Sequence, residues 1–126
     1  MSFLGQVRKK ALQAHRRIVL PETNDERVIR AASQILKEGL AQVILVGNQE
    51  AIMHSAKAYE VSLSGAKIVD PYNFERFNDY VNKLVELRAK KGMTPEEAKK
   101  LLLNNPTFFG AMLVKMGDAD GMVSGS

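Results

Sequence analysis

Four short apolar runs punctuate the chain, at Ile18 to Leu20, Val43 to Val46, Lys67 to Val69 and Gly121 to Ser124, and the stretches between them carry helical spacing. That alternation confines the chain to an α/β architecture with a mainly parallel sheet, in which each strand is followed by a crossover helix. The clearest unit is the first. Between its two strands lies DERVIRAASQILKEG, where Val28, Ala31, Ala32, Ile35 and Leu36 repeat at helical intervals and Gly39 supplies a C-terminal stop. After Val46 the segment GNQEAIMHSAKAYE predicts a glycine turn, an Asn48 cap and a second crossover helix, and Asp70-Pro71 ends the third strand.

A long helix is predicted from about Asn73 to Lys91, stopped by Gly92. Thr94, Pro95 and Glu97 then form a capping box with proline at the first helical position, and Asn105-Pro106 repeats the cap-then-proline signal for FFGAMLVKMG. GDAD turns the chain into the last strand. With no internal repeat, low-complexity segment or linker, residues 1–126 read as one domain.

Composition agrees. At 126 residues, 45% hydrophobic and 25% charged, a chain of this kind buries roughly two thirds of its surface. The absence of cysteine excludes a disulfide framework, a thiolate metal site and a thiol nucleophile. The start, MSFLGQVRKKALQAHRR, has no apolar run long enough for a signal peptide or a membrane span, so a cytoplasmic location without membrane association is expected. Arg8, Lys9, Lys10, Arg16 and Arg17 precede any acid, leaving 13 basic and 14 acidic residues afterwards. A solvated helical face accounts for this basic start more simply than nucleic-acid binding, and no nucleic-acid partner is expected.

A buried strand ending in Val123-Ser124-Gly125-Ser126 points to a loop at the carboxyl edge of the sheet, where open α/β folds place ligands. The expectation is an N-terminal part of a larger protein, with apolar surface exposed beside the final strand.

Two arginines stand awkwardly. Arg27 falls in the first turn of a helix capped by Thr23 or Asn24, where a cation opposes the macrodipole. Either it forms one jaw of an anion site with free backbone N–H groups, or it pairs with Glu22 or Glu26. Arg88 falls on the apolar stripe of Phe74, Phe77, Val81, Leu84 and Val85. Either it snorkels to water or it grips a phosphate or carboxylate with two N–H donors. His15 and His54 have no evident partner, Asp118 and Asp120 are accounted for by loop capping rather than a metal, and Met112 and Met116 read as core. VGNQE lacks the residues of a nucleotide-binding loop.

Taken in order and spacing, IVLPETNDERVIRAA, EGLAQVILVGN, AKIVDP, LVELRAKKGMTPEEAKKLL and FFGAMLVKMGDADGMVSGS resemble the N-terminal portion of phosphate acetyltransferases. Phosphate butyryltransferase and the transacetylase-like domain of some malic enzymes share much of this pattern. The resemblance implies an incomplete three-layer α/β fold similar to isocitrate and isopropylmalate dehydrogenases, with residues 1–126 as part of the N-terminal domain of a two-domain acyltransferase. It implies reversible acetyl transfer between coenzyme A and inorganic phosphate, with CoA, acetyl-CoA, phosphate and acetyl phosphate as substrates, no further cofactor, no metal, and assembly as a homodimer or larger. By position, Arg88 matches an arginine that holds the phosphate of acetyl phosphate, and Arg27 one that binds anionic substrate, with CoA expected. Ser124 and Gly125 match the start of a serine-glycine stretch that continues in the family through a histidine, an aspartate and an arginine. Ser126 stands where alanine is usual. The proposed catalytic aspartate is therefore expected outside this sequence, and the chain alone is expected to be inactive. The alternative is a non-catalytic module that binds anionic ligands.

Overall fold

The computed structural model describes residues 2–13 and 16–124. His15, Gly125 and Ser126 lie outside the described residues. Four parallel strands, β1 (Arg17–Leu20), β2 (Gln42–Val46), β3 (Lys67–Val69) and β4 (Gly121–Met122), form one sheet in the order β3-β2-β1-β4. The helices are α1 (Phe3–Leu12), α2 (Glu26–Glu38), α3 (Gln49–Ala58), α4 (Phe77–Leu87), α5 (Pro95–Asn104) and α6 (Pro106–Lys115). The expected parallel α/β class is observed.

The strands' period of two sorts their side chains into two cores. Ile18, Leu20, Val43 and Leu45 point to one face, where Phe3, Val7, Val28, Ile29, Ile35 and Ile52 of α1, α2 and α3 cover them. Val19, Ile44 and Val46 point to the other and meet Val81, Leu84, Leu102, Phe109 and Leu113 of α4, α5 and α6. Three layers result, because a parallel sheet with apolar residues on both faces is stable only when both are covered. At about 1.5–3 kcal/mol per fully buried aliphatic side chain, these two cores are the main source of stability.

Helix ends follow the sequence signals closely. Asp25 caps α2 by accepting a hydrogen bond from the Arg27 N–H, which replaces the expected Thr23 or Asn24, and Gly39 closes α2 at φ 65°. The capping box of Thr94 and Glu97 opens α5, and Asn105 accepts from the Phe108 N–H to open α6. The predicted helix over Asn73 to Lys91 is shorter than expected. Residues Pro71–Asn73 form a 3-10 turn, Phe74 is extended, α4 occupies Phe77–Leu87, and a second 3-10 turn covers Ala89–Lys91 before Gly92 at φ 70°. The extended backbone at Phe74 places its ring edge-on to Tyr80 and Phe109, at 4.9 and 5.4 Å between centroids. Burying three aromatic rings together outweighs one more helical turn.

The GDAD turn is locked at the amino end of the sheet. Asp120 accepts from the Arg17 backbone N–H (2.8 Å) and guanidinium (2.9 and 3.2 Å), while Asp118 accepts from Arg76 and from the hydroxyl of fully buried Tyr80. Burial and Asp118 together push the Tyr80 hydroxyl upward from its ordinary pKa, so it stays a neutral donor. Both aspartates are thus engaged by distant arginines and a tyrosine rather than by the local loop capping expected from the sequence, because the turn packs against β1 and α4. Polar Gln6, Lys9, Lys10 and Gln13 line the flank beside Met122, Val123 and Ser124, with Val123 only 6% exposed. Among the described residues the expected apolar patch is not found there, because Val123 joins the core shared with Phe3 and Val7 of α1.

A salt bridge ties α1 to α2. The Arg8 guanidinium donates to both carboxylate oxygens of Glu38, and with the Gln34 amide it holds Glu38 at a pKa of about 2, against an ordinary 4.5. A depressed carboxylate pKa contributes stability above its unfolded value and loses it as pH falls through the folded one. The contribution of this contact is therefore complete above about pH 4.5 and gone below about pH 2. Urea midpoints of the wild-type chain and a Glu38→Gln variant are expected to differ at pH 6 and to converge as pH approaches 2. A gap that stays constant over that range would show that the contact does not act through the charge of Glu38.

Candidate functional site at the carboxyl edge of the sheet

The strand order places a topological switch between β1 and β4. The chain leaves β1 toward β2 and β3 on one side, then returns to put β4 on the other. Connections on the two sides of such a point diverge, leaving a crevice beyond the carboxyl ends of the strands. The loop after β1 and the residues after β4 flank it. Helix α6 roofs it closely: a side chain at Gly110 would place Cβ 3.0 Å from Met122 Sδ and 3.2 Å from Pro21 Cβ. Only a glycine lets the helix approach this near to the ends of β1 and β4.

Arg27 stands at the crevice side of α2, largely exposed. Its hydrogen-bonded partner is Asp25, with Nη2 2.8 Å from Oδ2 and Nε 3.3 Å from Oδ1, while the charge of Glu22 also acts on it and Glu26 bonds Arg30. The capping carboxylate leans back over the first turn and so meets the residue two positions on. The Arg27 guanidinium, followed by its backbone N–H, holds Asp25 below the usual carboxylate range. The awkward cation at a helix N-terminus is thus neutralised locally by an exposed contact of small energy.

Arg88 caps α4 from its C-terminal side, its N–H donating to the Leu84 carbonyl at 3.0 Å. Its guanidinium carbon stands 5.1 Å from the centroid of the Phe108 ring, in the first turn of α6. That turn lies at the carboxyl side, since α6 runs away from it into the Gly117–Asp120 turn that feeds the amino end of β4. Ser124 is half-buried and follows Val123, whose N–H donates to the Val19 carbonyl at 3.1 Å. Arg27, Arg88 and Ser124 thus each lie toward the carboxyl side of the sheet, Arg27 from one helical layer and Arg88 from the other. His54 is exposed on α3, and Met112 is buried as expected, with Met116 packed partly against the same core.

A bolt invisible in the sequence stiffens this edge. The Thr23 hydroxyl donates to the Val46 carbonyl at 2.7 Å, joining the loop after β1 to the end of β2. Gly47 follows at φ 146°, its N–H donating to Val69, and a Cβ there would meet Thr23 Oγ1 at 3.0 Å. The sequence marks Thr23 only as a possible cap, because the partner carbonyl is supplied by tertiary structure. A groove of about 570 Å³ beside Arg30, Ser33, Gln34 and Lys37 lies along α2 and contains none of the predicted site residues.

Comparison with known proteins places this edge in context. The family described as phosphate acetyl/butaryl transferase matches residues 2–126. A phosphate acetyltransferase of Acetivibrio thermocellus is 47% identical over 126 residues, all of this chain and 37% of that protein. One of Bacillus subtilis is 40% identical over 124 residues, 98% of this chain and 38% of that protein. The crystal structure of a phosphotransacetylase from Streptococcus pyogenes superposes with a TM-score of 0.82 at 40% identity, covering 98% of this chain and 37% of that one. The chain thus spans less than two fifths of the length of these relatives, matching their N-terminal part. On its sequence over residues 2–126 and on its fold, the chain belongs to the phosphate acetyl/butaryl transferase family.

Proposed function

We propose that the chain supplies the N-terminal share of a phosphate acetyltransferase, which moves an acetyl group reversibly between CoA and inorganic phosphate. The observation that carries this reading is 47% identity along all 126 residues to a protein of that name. The placement of Arg27, Arg88 and Ser124 toward the carboxyl side of the sheet agrees with it. The substrates are anionic at both ends, so charge neutralisation and positioning are what the reaction asks of a protein. In the direction of acetyl-CoA synthesis, the CoA sulfur forms a bond to the acetyl carbon and the carbon–oxygen bond to phosphate breaks. The leaving phosphate carries off the electron pair.

Arg88 takes the phosphoryl oxygens of acetyl phosphate through two N–H donors, which bind more strongly as charge builds on the leaving group. Arg27 takes a phosphate of CoA, which displaces Asp25 from an exposed guanidinium at small cost. Ser124 and Gly125 border the crevice. The base that receives the thiol proton belongs to the part of the family fold beyond residues 1–126, and the chain alone is inactive. No metal or further cofactor takes part, the whole enzyme works as a homodimer or larger assembly in the cytoplasm, and neither nucleic acid nor membrane is a partner. Among the described residues no helix is long and apolar enough to cross a membrane.

The test is a chimera in which this chain replaces the 126 matched residues of the Acetivibrio thermocellus protein. Formation of acetyl-CoA from acetyl phosphate and CoA is expected. A folded chimera without turnover would favour a module that binds anions without catalysis, and preference for butyryl phosphate would move the reading to the butyryl branch of the family.

A further inference from the structure

Arg88 is held in an unusual way. Elsewhere the structure pairs guanidinium groups with carboxylates: Arg8 with Glu38, Arg17 with Asp120, Arg27 with Asp25, Arg30 with Glu26 and Arg76 with Asp118. Arg30 and Arg76 also lie over the rings of Tyr59 and Tyr80, but in addition to their carboxylates, whereas the described contact of Arg88 is with the Phe108 ring at 5.1 Å. A carboxylate would consume both its charge and its N–H donors. A ring face attracts the cation through its quadrupole and leaves the donors at the edge of the guanidinium plane available.

Both ends of this contact are fixed. The backbone of Arg88 donates to Leu84 and accepts from Lys91 at 3.0 Å, which anchors the base of the side chain. Phe108 is tied by its N–H to Asn105 Oδ1 at 3.0 Å, and its half-buried side chain packs against the core that holds fully buried Phe109. A side chain as long as arginine loses much rotamer freedom when it is ordered, and a pre-seated guanidinium has already met part of that cost before a ligand arrives.

We infer that Phe108 is a positioning residue for Arg88, its ring holding the guanidinium at the switch-point crevice with its donors free for the oxygens of a phosphoryl group. The inference rests on the reading of Arg88 as the phosphate grip. It adds a residue that touches no substrate and works through the arginine.

The test measures inorganic phosphate binding to the 126-residue chain from the Arg88 Nε–Hε resonance, or from backbone amides of the first turn of α6 where Arg88 is replaced. Phe108→Leu keeps apolar bulk but removes the ring, and it is expected to raise the phosphate Kd about two- to fivefold, the size of an exposed cation–π contact. Phe108→Tyr is expected to restore wild-type affinity. In an Arg88→Ala background, Phe108→Leu is expected to change the residual affinity no further, because the pair acts as one unit. In the wild-type chain the ring current is expected to shift the Arg88 Hε resonance upfield, a readout that needs no variant to fold.

Unchanged affinity in Phe108→Leu, an equal loss in the Arg88→Ala background, or an unshifted Hε resonance would each overturn the inference while leaving the phosphate reading in place. Wild-type affinity in Arg88→Ala would overturn both.

Discussion

Arg88→Ala in the chimera is expected to leave the fold intact and to lower kcat/KM for acetyl transfer by at least about a hundredfold, equivalent to roughly 2.7 kcal/mol of lost transition-state stabilisation. The fold survives because the side chain is only half-buried and its described contact is a single ring face. The rate falls because a phosphate leaving group gains charge as the carbon–oxygen bond breaks, and a guanidinium aimed at it stabilises the transition state more than the bound substrate. Arg88→Lys is expected to recover little. Lysine keeps the charge but loses the planar pair of donors and the stacking surface that lies against Phe108. Steady-state kinetics over a range of acetyl phosphate concentrations check this. Two well-folded variants turning over at the parental rate would reduce Arg88 to a helix end reaching for water.

Phe109→Ala is expected to cost about 3–5 kcal/mol of stability, a large share of the roughly 5–15 kcal/mol available to a domain of this kind. The ring is fully buried, stacks on Tyr80 at 5.7 Å between centroids and meets the edge of Phe74 at 5.4 Å. Its removal opens a cavity between α4 and α6 that neighbouring rings, each already engaged, fill only in part. Urea denaturation is expected to show a lower midpoint with an unchanged slope. A loss below about 1 kcal/mol would mean that this half of the core repacks freely, contrary to the dense aromatic contacts seen. The adjacent Phe108 is only half-buried, and its replacement by leucine is expected to cost far less stability than Phe109→Ala.

The contrast between these two phenylalanines shows which parts of the fold and site are legible in a sequence. The last strand, expected over Gly121 to Ser124, covers only Gly121–Met122. The first three strands with their β-branched apolar runs, the stop at Gly39, the capping box of Thr94 and Glu97 and the cap at Asn105 all arise from interactions within a few residues, and all stand in the structure where the pattern put them. The long helix did not, because helical spacing of Phe74 and Phe77 continues through a segment whose geometry is set by distant partners. Phe74 reaches across to Phe109, and Arg76 to Asp118, 42 positions along. The site divides in the same way. Arg27 and Arg88 were legible as charges out of place, one against a macrodipole and one on an apolar stripe. What neutralises or seats them was not. Asp25 holds Arg27 through a cap placed one residue later than expected, and Phe108 seats Arg88 from a helix 20 positions away in sequence. The hydrogen bond from Thr23 to Val46 has no sequence signal at all, since its acceptor is a backbone carbonyl.

The central claim is that Arg88 is where the phosphoryl group of the substrate meets this chain. Its most direct test is a titration of the isotopically labelled 126-residue chain with acetyl phosphate, following the arginine Nε–Hε resonances one by one. Saturable displacement of the Arg88 signal by acetyl phosphate and by inorganic phosphate, with acetate at equal concentration leaving it in place, is the expected result. Shifts spread evenly and without saturation over Arg8, Arg16, Arg27 and Arg88, or an Arg88 signal that stays still while others move, would contradict it.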